Sequence, residues 1–436
     1  MDKNVKCAIA TLGCRVNQYE SDAIMQELSK RGAVILPPSE VCDVYIINTC
    51  TVTAESDRKS RQLIRRCINK NPDATVIVTG CYAQIDPDRV LSIPGVSFVC
   101  GNNAKSVIPN KVFELISQKC APSSYMPDIN NSTFDTMRVG APMTRTRAFI
   151  KIEDGCESRC AYCIIPHARG NVRSNPRELV LDEVRNIARE GCCEIVLTGI
   201  ETASYGKDFS DGYTLGDLIR EISDIDGIDR IRLGSLDPAA VTRDFVDKIS
   251  GIPKVMNHFH ISMQSGCTRT LNAMRRKYNI DMAKRNLDYL RERIPGLMLS
   301  ADVITGFPGE SDEDFKETYE FFKKERFLHL HIFPYSKRSG TAAAKMPDQV
   351  DDNIKKERLH LLSELQDKIR AELFEEFIKK AEDVDVLFEN TVGGYACGHA
   401  PNFMEVRIKT ECDLSGRIVR VHPVGYDKEC LYAKII

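Results

Sequence analysis

The stretch that decides the fold is residues 151–169, KIEDGCESRCAYCIIPHAR, in which Cys156, Cys160 and Cys163 follow one another in the spacing C-x3-C-x2-C. Three thiolates on one short loop can hold three irons of a cubane cluster and leave the fourth iron open to bind and reduce a small molecule. The loop comes directly after the apolar run 148–152. Further strand patterns follow at 194–198, 230–234, 258–263, 297–304 and 328–333, with helical patterns at 176–190, 280–293 and 310–324. Strands linked by helices predict a parallel barrel, complete or partial, with the cysteine loop at its C-terminal mouth, where such barrels keep their chemistry. A structural zinc site is the other reading. It needs four ligands, so His167 would have to supply the fourth, and no second paired knuckle follows.

Upstream, CAIATLG (7–13), VYIIN (44–48) and TVIVT (75–79) read as buried parallel strands, with helical patterns at 19–30 and 54–69 between them. That alternation predicts an α/β domain over 1–118. The stretch 119–143 has the Pro, Ser and Asn content of a linker. The barrel domain is expected over 144–375. A long charged helix, 353–381, carries the apolar stripe Leu359, Leu362, Leu365 and Ile369. Short strand patterns in 376–436 predict a compact antiparallel barrel.

Length supports about three domains, at ~150 residues each. The 436 residues hold 60 Lys+Arg against 62 Asp+Glu, so any polyanion-binding face is local. With 42% hydrophobic and 28% charged residues the chain is expected to be globular. The start, MDKNVKCAIATLG, is not that of a secretory signal, and no run approaches ~20 apolar residues. A cytoplasmic protein without a membrane span is therefore expected. In that compartment disulfides are rare, and the 17 cysteines are expected to be catalytic, metal-bound or buried.

Cys14, Cys50 and Cys81 each fall directly after one of the three N-terminal strands. In a parallel sheet those ends share one edge, where ligands bind, so the three can form one site despite their separation. Taken singly, each reads as a small core residue. The other eleven cysteines, from Cys7 to Cys430, match no ligand pattern and read as core or surface thiols. His258 with His260, and His329 with His331, share strand faces by period 2 and read as an ordinary half-buried face rather than a metal site.

CESRCAYC resembles the radical S-adenosylmethionine (SAM) signature, in which three cysteines hold a [4Fe-4S] cluster whose free iron chelates SAM. The segments around Cys14, Cys50 and Cys81 resemble the N-terminal domain of the methylthiotransferase family, and the resemblance runs nearly end to end. It implies a second, auxiliary [4Fe-4S] cluster on those three thiolates, and six catalytic cysteines in all. LGCRVNQYES, NTCTVTAESDRKSRQ and PYSKRSGTAAAKMP look most like the branch that methylthiolates C2 of N6-threonylcarbamoyladenosine at tRNA position 37. Branches acting on isopentenyladenosine in tRNA, or on a ribosomal protein aspartate, have other residues after the first cysteine and are the alternative substrates. A non-catalytic iron–sulfur RNA-binding scaffold is the alternative from another class.

The resemblance also implies SAM contacts at Tyr162, at Thr198 and Gly199, at Ser235 and Gln264, and at Gly306 with Gly309, where a flat base can pack on backbone. Residues 376–436 resemble a TRAM domain, an RNA-binding barrel, with Phe403, Arg407, Lys409, Arg417 and Arg420 as contacts. Basic runs at Arg58, Lys59, Arg61, Arg65, Arg66 and Lys70, at Arg275, Arg276 and Lys277, and at Arg169, Arg173 and Arg177 are further phosphate candidates. The partners implied are a tRNA anticodon stem-loop, an electron donor and a sulfur donor.

Overall fold

The computed structural model describes residues 5–118, 120–140 and 146–436. Six parallel strands form the first sheet: β1 (Lys6–Thr11), β2 (Val34–Ile35), β3 (Val44–Thr49), β4 (Thr75–Gly80), β5 (Phe98–Cys100) and β6 (Ser123–Tyr125), in the order β2-β1-β3-β4-β5-β6. Side chains of the helices Arg15–Lys30 and Ala54–Lys70 pack on opposite faces. Both faces of β3 and β4 are covered, which is why these strands read as unbroken apolar runs. The stretch 119–143, expected as a linker, contributes β6 and buries Ile129, Phe134 and Val139. Its residues 119 and 141–143 lie outside the described residues. An edge strand is held by backbone hydrogen bonds, so a polar segment can fill the place beside β5.

The second unit begins with β7 (Arg147–Lys151) and a short antiparallel pair, β8 (Glu153–Asp154) with β9 (Arg173–Ser174), that frames the cysteine loop. β10 (Glu194–Thr198) lies between β7 and β11 (Arg230–Leu233), while β12 (His258–Gln264), β13 (Met298–Thr305) and β14 (His329–Pro334) form a second parallel trio. Parallel bridges Ile231–Val255 and Leu236–Ile261 join the trios. The result is a partial barrel, with no pairing between β7 and β14 among the described residues. The first unit covers that side. Its helix Arg15–Lys30 packs on β7, and Arg338, beyond β14, pairs with Asp57 and Thr51.

The helix Asp352–Lys379 is capped by Asp351 and runs without a break across the domain boundary expected at 375/376. It leads into a closed barrel of β15 (Val384–Val392), β16 (Tyr395–His399), β17 (Glu405–Lys409), β18 (Ile418–Tyr426) and β19 (Leu431–Ile435), in the order β15-β16-β17-β19-β18. Among the described residues no helix is long and apolar enough to cross a membrane.

Candidate active site

Register aligns the ends of the N-terminal strands: Thr11 pairs with Asn48 on β3, and Thr49 with Gly80 on β4. Cys14, Cys50 and Cys81 follow those ends, Cys14 as the N-cap of the helix Arg15–Lys30 and Cys81 as the first residue of the helix Cys81–Ile85. The approach is close. At Gly13, with φ +105°, an added Cβ would lie 2.9 Å from Cys50 Cβ. The surrounding protein raises the thiol pKa of Cys14 and of buried Cys50; Cys14 also feels Arg169 and Cys81 as charge, and Cys50 feels Cys81 and Cys14.

Cys156, Cys160 and Cys163 sit partly exposed on the loop between β8 and the helix Ile165–Arg169. Cys156 N–H donates to Gly170 O at 3.0 Å, and Cys163 N–H donates to Cys160 O at 3.1 Å. The turn depends on Gly155, which has φ +95°. A Cβ there would fall 1.9 Å from Asn171 O. Gly155→Ala is therefore expected to cost about 1–3 kcal/mol of stability, because the strain meets backbone that cannot step aside. Denaturant unfolding checks this, and an unchanged midpoint would remove the argument for this turn.

N–H groups surround the six sulfurs. Backbone N–H groups of Asn17, Val52, Ser158 and Ile165 lower the pKa values of Cys14, Cys50, Cys156 and Cys163, against burial that raises each. Cys81 Sγ accepts from Arg169 Nε at 3.3 Å and Asn102 Nδ2 at 3.6 Å, and Cys160 Sγ accepts from Arg276 Nη1 at 3.3 Å. By contrast Cys100 in the sheet core donates to Ala104 O at 3.1 Å, and burial pushes its pKa up to about 12.

The two sets of thiols meet. The helix Cys81–Ile85 packs against the helix Ile165–Arg169, and Cys81 is close enough to raise the pKa of Cys163, which burial chiefly pushes up to about 11. Beneath them lies a charged network shared by both units. Glu20 accepts from Lys151 at 2.8 Å, Arg169 Nη1 at 2.6 Å and Lys105; Asp154 pairs with Lys151 at 2.6 Å and Arg169 at 3.1 Å. Arg169 is 0% exposed and Arg173 donates to Ile129 O and Arg169 O, so neither is the phosphate contact expected of it. Arg276 is corrected in the same way: besides Cys160 it holds Asp237 at 2.7 Å and Ser262 O at 3.1 Å. A basic run has the same composition whether it is solvated or paired, and here the partners come from distant segments.

The expected SAM contacts lie on the C-terminal side of the barrel strands. Thr198 is buried at the end of β10, and an added Cβ at Gly199 would lie 2.5 Å from Glu153 Oε2. Ser235 is exposed beyond β11, and Gln264 ends β12 with φ 62°. Gly306 N–H donates to Glu310 Oε2 at 2.6 Å, and Tyr162 meets Phe307 edge-on at 6.4 Å. Sequence reasoning passed over Glu201, which accepts from Cys156 Sγ at 3.3 Å and Ser158 Oγ at 3.4 Å, and over Asp237. Both stand just past strands, a positional signal that no motif reinforced.

Inside the barrel, alternate residues such as Phe149, Val196, Arg232, His260, Ser300 and His331 border a cavity of about 520 Å³. Residues of the first unit, the long helix and the C-terminal barrel complete its wall. The four strand histidines, read as a half-buried face, converge there because curvature turns one face of the sheet inward. Phe403, expected to stack on RNA, has His258 and His399 rings at 4.5 Å. That stacking at the barrel floor replaces the expected RNA contact.

The family models agree with this division. The model of the uncharacterized protein family UPF0004 matches residues 6–101, and that of the Radical SAM superfamily matches residues 150–322. Threonylcarbamoyladenosine tRNA methylthiotransferase MtaB of Bacillus subtilis (strain 168) is 40% identical over 418 residues, 95% of this chain and 92% of that protein. The protein of that name from Aquifex aeolicus (strain VF5) is 36% identical, covering 96% and 100%. The tRNA-2-methylthio-N(6)-dimethylallyladenosine synthase of Acetivibrio thermocellus is 32% identical, covering 96% and 88%. The structure of the radical S-adenosylmethionine methyltransferase TsrM from Kitasatospora setae shares the fold, with a TM-score of 0.58 at 15% identity over 76% of this chain and 75% of that one. A parallel-strand partial barrel with a C-x3-C-x2-C loop at its mouth defines a radical SAM enzyme. Within that class, the chain belongs to the methylthiotransferase family.

Proposed function

We propose that this chain methylthiolates C2 of N6-threonylcarbamoyladenosine at position 37 of tRNA. The observation that carries the reading is the meeting of two cysteine triads over one barrel mouth, joined through the helices Cys81–Ile85 and Ile165–Arg169. Among the described residues no three His, Cys, Asp or Glu side chains converge to hold a single ion. The thiolates of a cubane each bind a different iron, and N–H donors to sulfur are how proteins tune such clusters. Cys156, Cys160 and Cys163 would hold one [4Fe-4S] cluster, and Cys14, Cys50 and Cys81 a second. When bound, the first supplies the single electron that splits SAM and so starts removal of hydrogen from C2.

The protein's own part is to keep that chemistry apart from water and in register. Arg276 and Glu201 orient the loop thiols, while Arg169 ties the Cys81 side to the barrel. Tyr162, Thr198, Gly199, Ser235, Gln264 and Gly306 surround the mouth and are the SAM contacts of this reading. Exposed Lys409, Arg417 and Arg420 on the C-terminal barrel, with Lys59, Arg65 and Arg66 on the first unit, remain available to phosphate. A cytoplasmic site follows from a tRNA substrate. An electron donor and a sulfur donor are required as partners.

The relatives named for threonylcarbamoyladenosine reach 40% identity, against 32% for the dimethylallyladenosine synthase of Acetivibrio thermocellus, and this favours the first substrate. Mass spectrometry of tRNA nucleosides from a strain lacking the gene tests it. Methylthiolated threonylcarbamoyladenosine is expected to disappear and return on complementation. An intact level of that nucleoside sinks the reading.

A further inference from the structure

The barrel cavity holds an imbalance of charge. Of its four arginines, three have carboxylate partners: Arg147 pairs with Glu194 at 3.0 Å and with Glu389, Arg232 pairs with Glu194 at 3.0 Å, and Arg370 pairs with Asp367 at 2.7 Å. Arg15 has no side-chain hydrogen bond or ion pair among the described residues; its guanidinium lies over the Phe149 ring, 5.8 Å from the centroid. The cavity's own carboxylates are engaged elsewhere, Glu405 and Glu429 by Arg407 at 2.8 and 3.5 Å. Asp302 nearby is held by His260 at 3.1 Å. Burial lowers the pKa of His258 and of His331 and brings His329 to about 4, so these three add no charge at neutral pH.

Arg15 keeps accessible surface because it borders the cavity. A guanidinium that borders a cavity without a carboxylate partner is free to take an anionic group of a ligand. Arg15 also directly follows Cys14 in the chain, which ties the cavity wall to one of the two triads.

We infer that Arg15 is the specificity-determining residue that binds the free carboxylate of an amino-acid substituent on the N6 side of the substrate adenine. The inference rests on the substrate reading above. In a threonylcarbamoyl group a carbonyl carbon links N6 to the amino nitrogen of threonine, which leaves the threonine carboxylate ionised and exposed. A guanidinium meets a carboxylate through two parallel N–H donors, which gives direction as well as energy. A dimethylallyl group carries no charge and would offer Arg15 no partner. The cavity, at about 520 Å³, is in the ~300–1,000 Å³ range of sites for molecules of this size. SAM also carries a carboxylate, so a test must separate the two sources.

The test uses the full chain, reconstituted anaerobically, and two anticodon stem-loops that differ only in the N6-threonylcarbamoyl group. Fluorescence anisotropy is expected to show that wild type prefers the modified loop. Arg15→Met is expected to lose about 10- to 100-fold on the modified loop only, as for a lost charge-assisted hydrogen bond. Arg15→Lys should retain part of the preference, and SAM affinity and iron content should match wild type in both variants. A preference that survives in Arg15→Met overturns this assignment alone. Equal weakening on both loops assigns Arg15 to phosphate, and weakened SAM binding assigns it to SAM; either overturns it. A wild type without preference that also yields no methylthiolated threonylcarbamoyladenosine fells the substrate reading, and this assignment with it.

Discussion

Cys160→Ala is expected to abolish methylthiolation while the chain stays folded and still binds tRNA. The iron content of the reconstituted protein should fall from about eight to about four per chain, one cubane of the two. Folding survives because Cys160 is only partly buried, and Arg276 keeps Asp237 at 2.7 Å and Ser262 O at 3.1 Å when the sulfur is gone. The same change decides between an enzyme and a scaffold that uses clusters only for stability or sensing. A scaffold keeps cellular tRNA modification after Cys160→Ala, and that outcome would end the catalytic reading. Iron analysis and nucleoside mass spectrometry on one preparation provide both answers.

Glu20→Gln is expected to have the largest effect on stability, about 3–5 kcal/mol, since removing one member of a buried charge network leaves the others uncompensated. Glu20 is 5% exposed and receives Lys105, Lys151 and Arg169, so the neutral variant leaves Lys105 without an ion pair and Asp154 as the remaining carboxylate beside Lys151 and Arg169. Burial alone would raise its pKa, but Arg169, Lys105 and Lys151 outweigh burial and hold it well below the ordinary carboxylate value. Asp154 is brought to about 2 by Arg169 and Lys151, again against burial. Both folded values are depressed, so the stability they contribute is present above the unfolded pKa values near ~4 and is lost as pH falls toward about 2. Urea unfolding at pH 7 and at pH 3 checks the size and the sign. A Glu20→Gln midpoint equal to wild type at pH 7 would falsify the account. Because Glu20 and Lys105 come from the first unit and Lys151, Asp154 and Arg169 from the second, the variant should also let the units separate, with loss of the shared mouth.

Much of this was legible before any fold was built. The six cysteines stand in two patterns that local sequence carries in full, one a loop spacing and the other a position after each strand. The alternation of apolar runs with amphipathic helices predicted both parallel sheets, and the short strands at the end predicted the small barrel, because period and turn residues are local properties. The basic residues were different. Arg169, Arg173 and Arg276 look the same in sequence as Arg65 and Arg66, which stay exposed. What separates them is a partner far along the chain: Arg169 meets Glu20 across 149 residues. The strand at Ser123–Tyr125 was hidden for a similar reason, since its place depends on the open edge of β5.

By itself the sequence determined the chemistry available: two sets of three thiolates, a barrel mouth to hold one of them, and a family whose relatives methylthiolate tRNA. Only the tertiary structure decided that the helix beginning at Cys81 packs on the helix that follows Cys163, that three buried cations and two carboxylates weld the units together, and that Arg15 stands on the barrel cavity with no ion pair among the described residues. The reason is physical. Ligand type and strand period are written within a few residues, whereas burial and charge pairing depend on which distant segments are packed together.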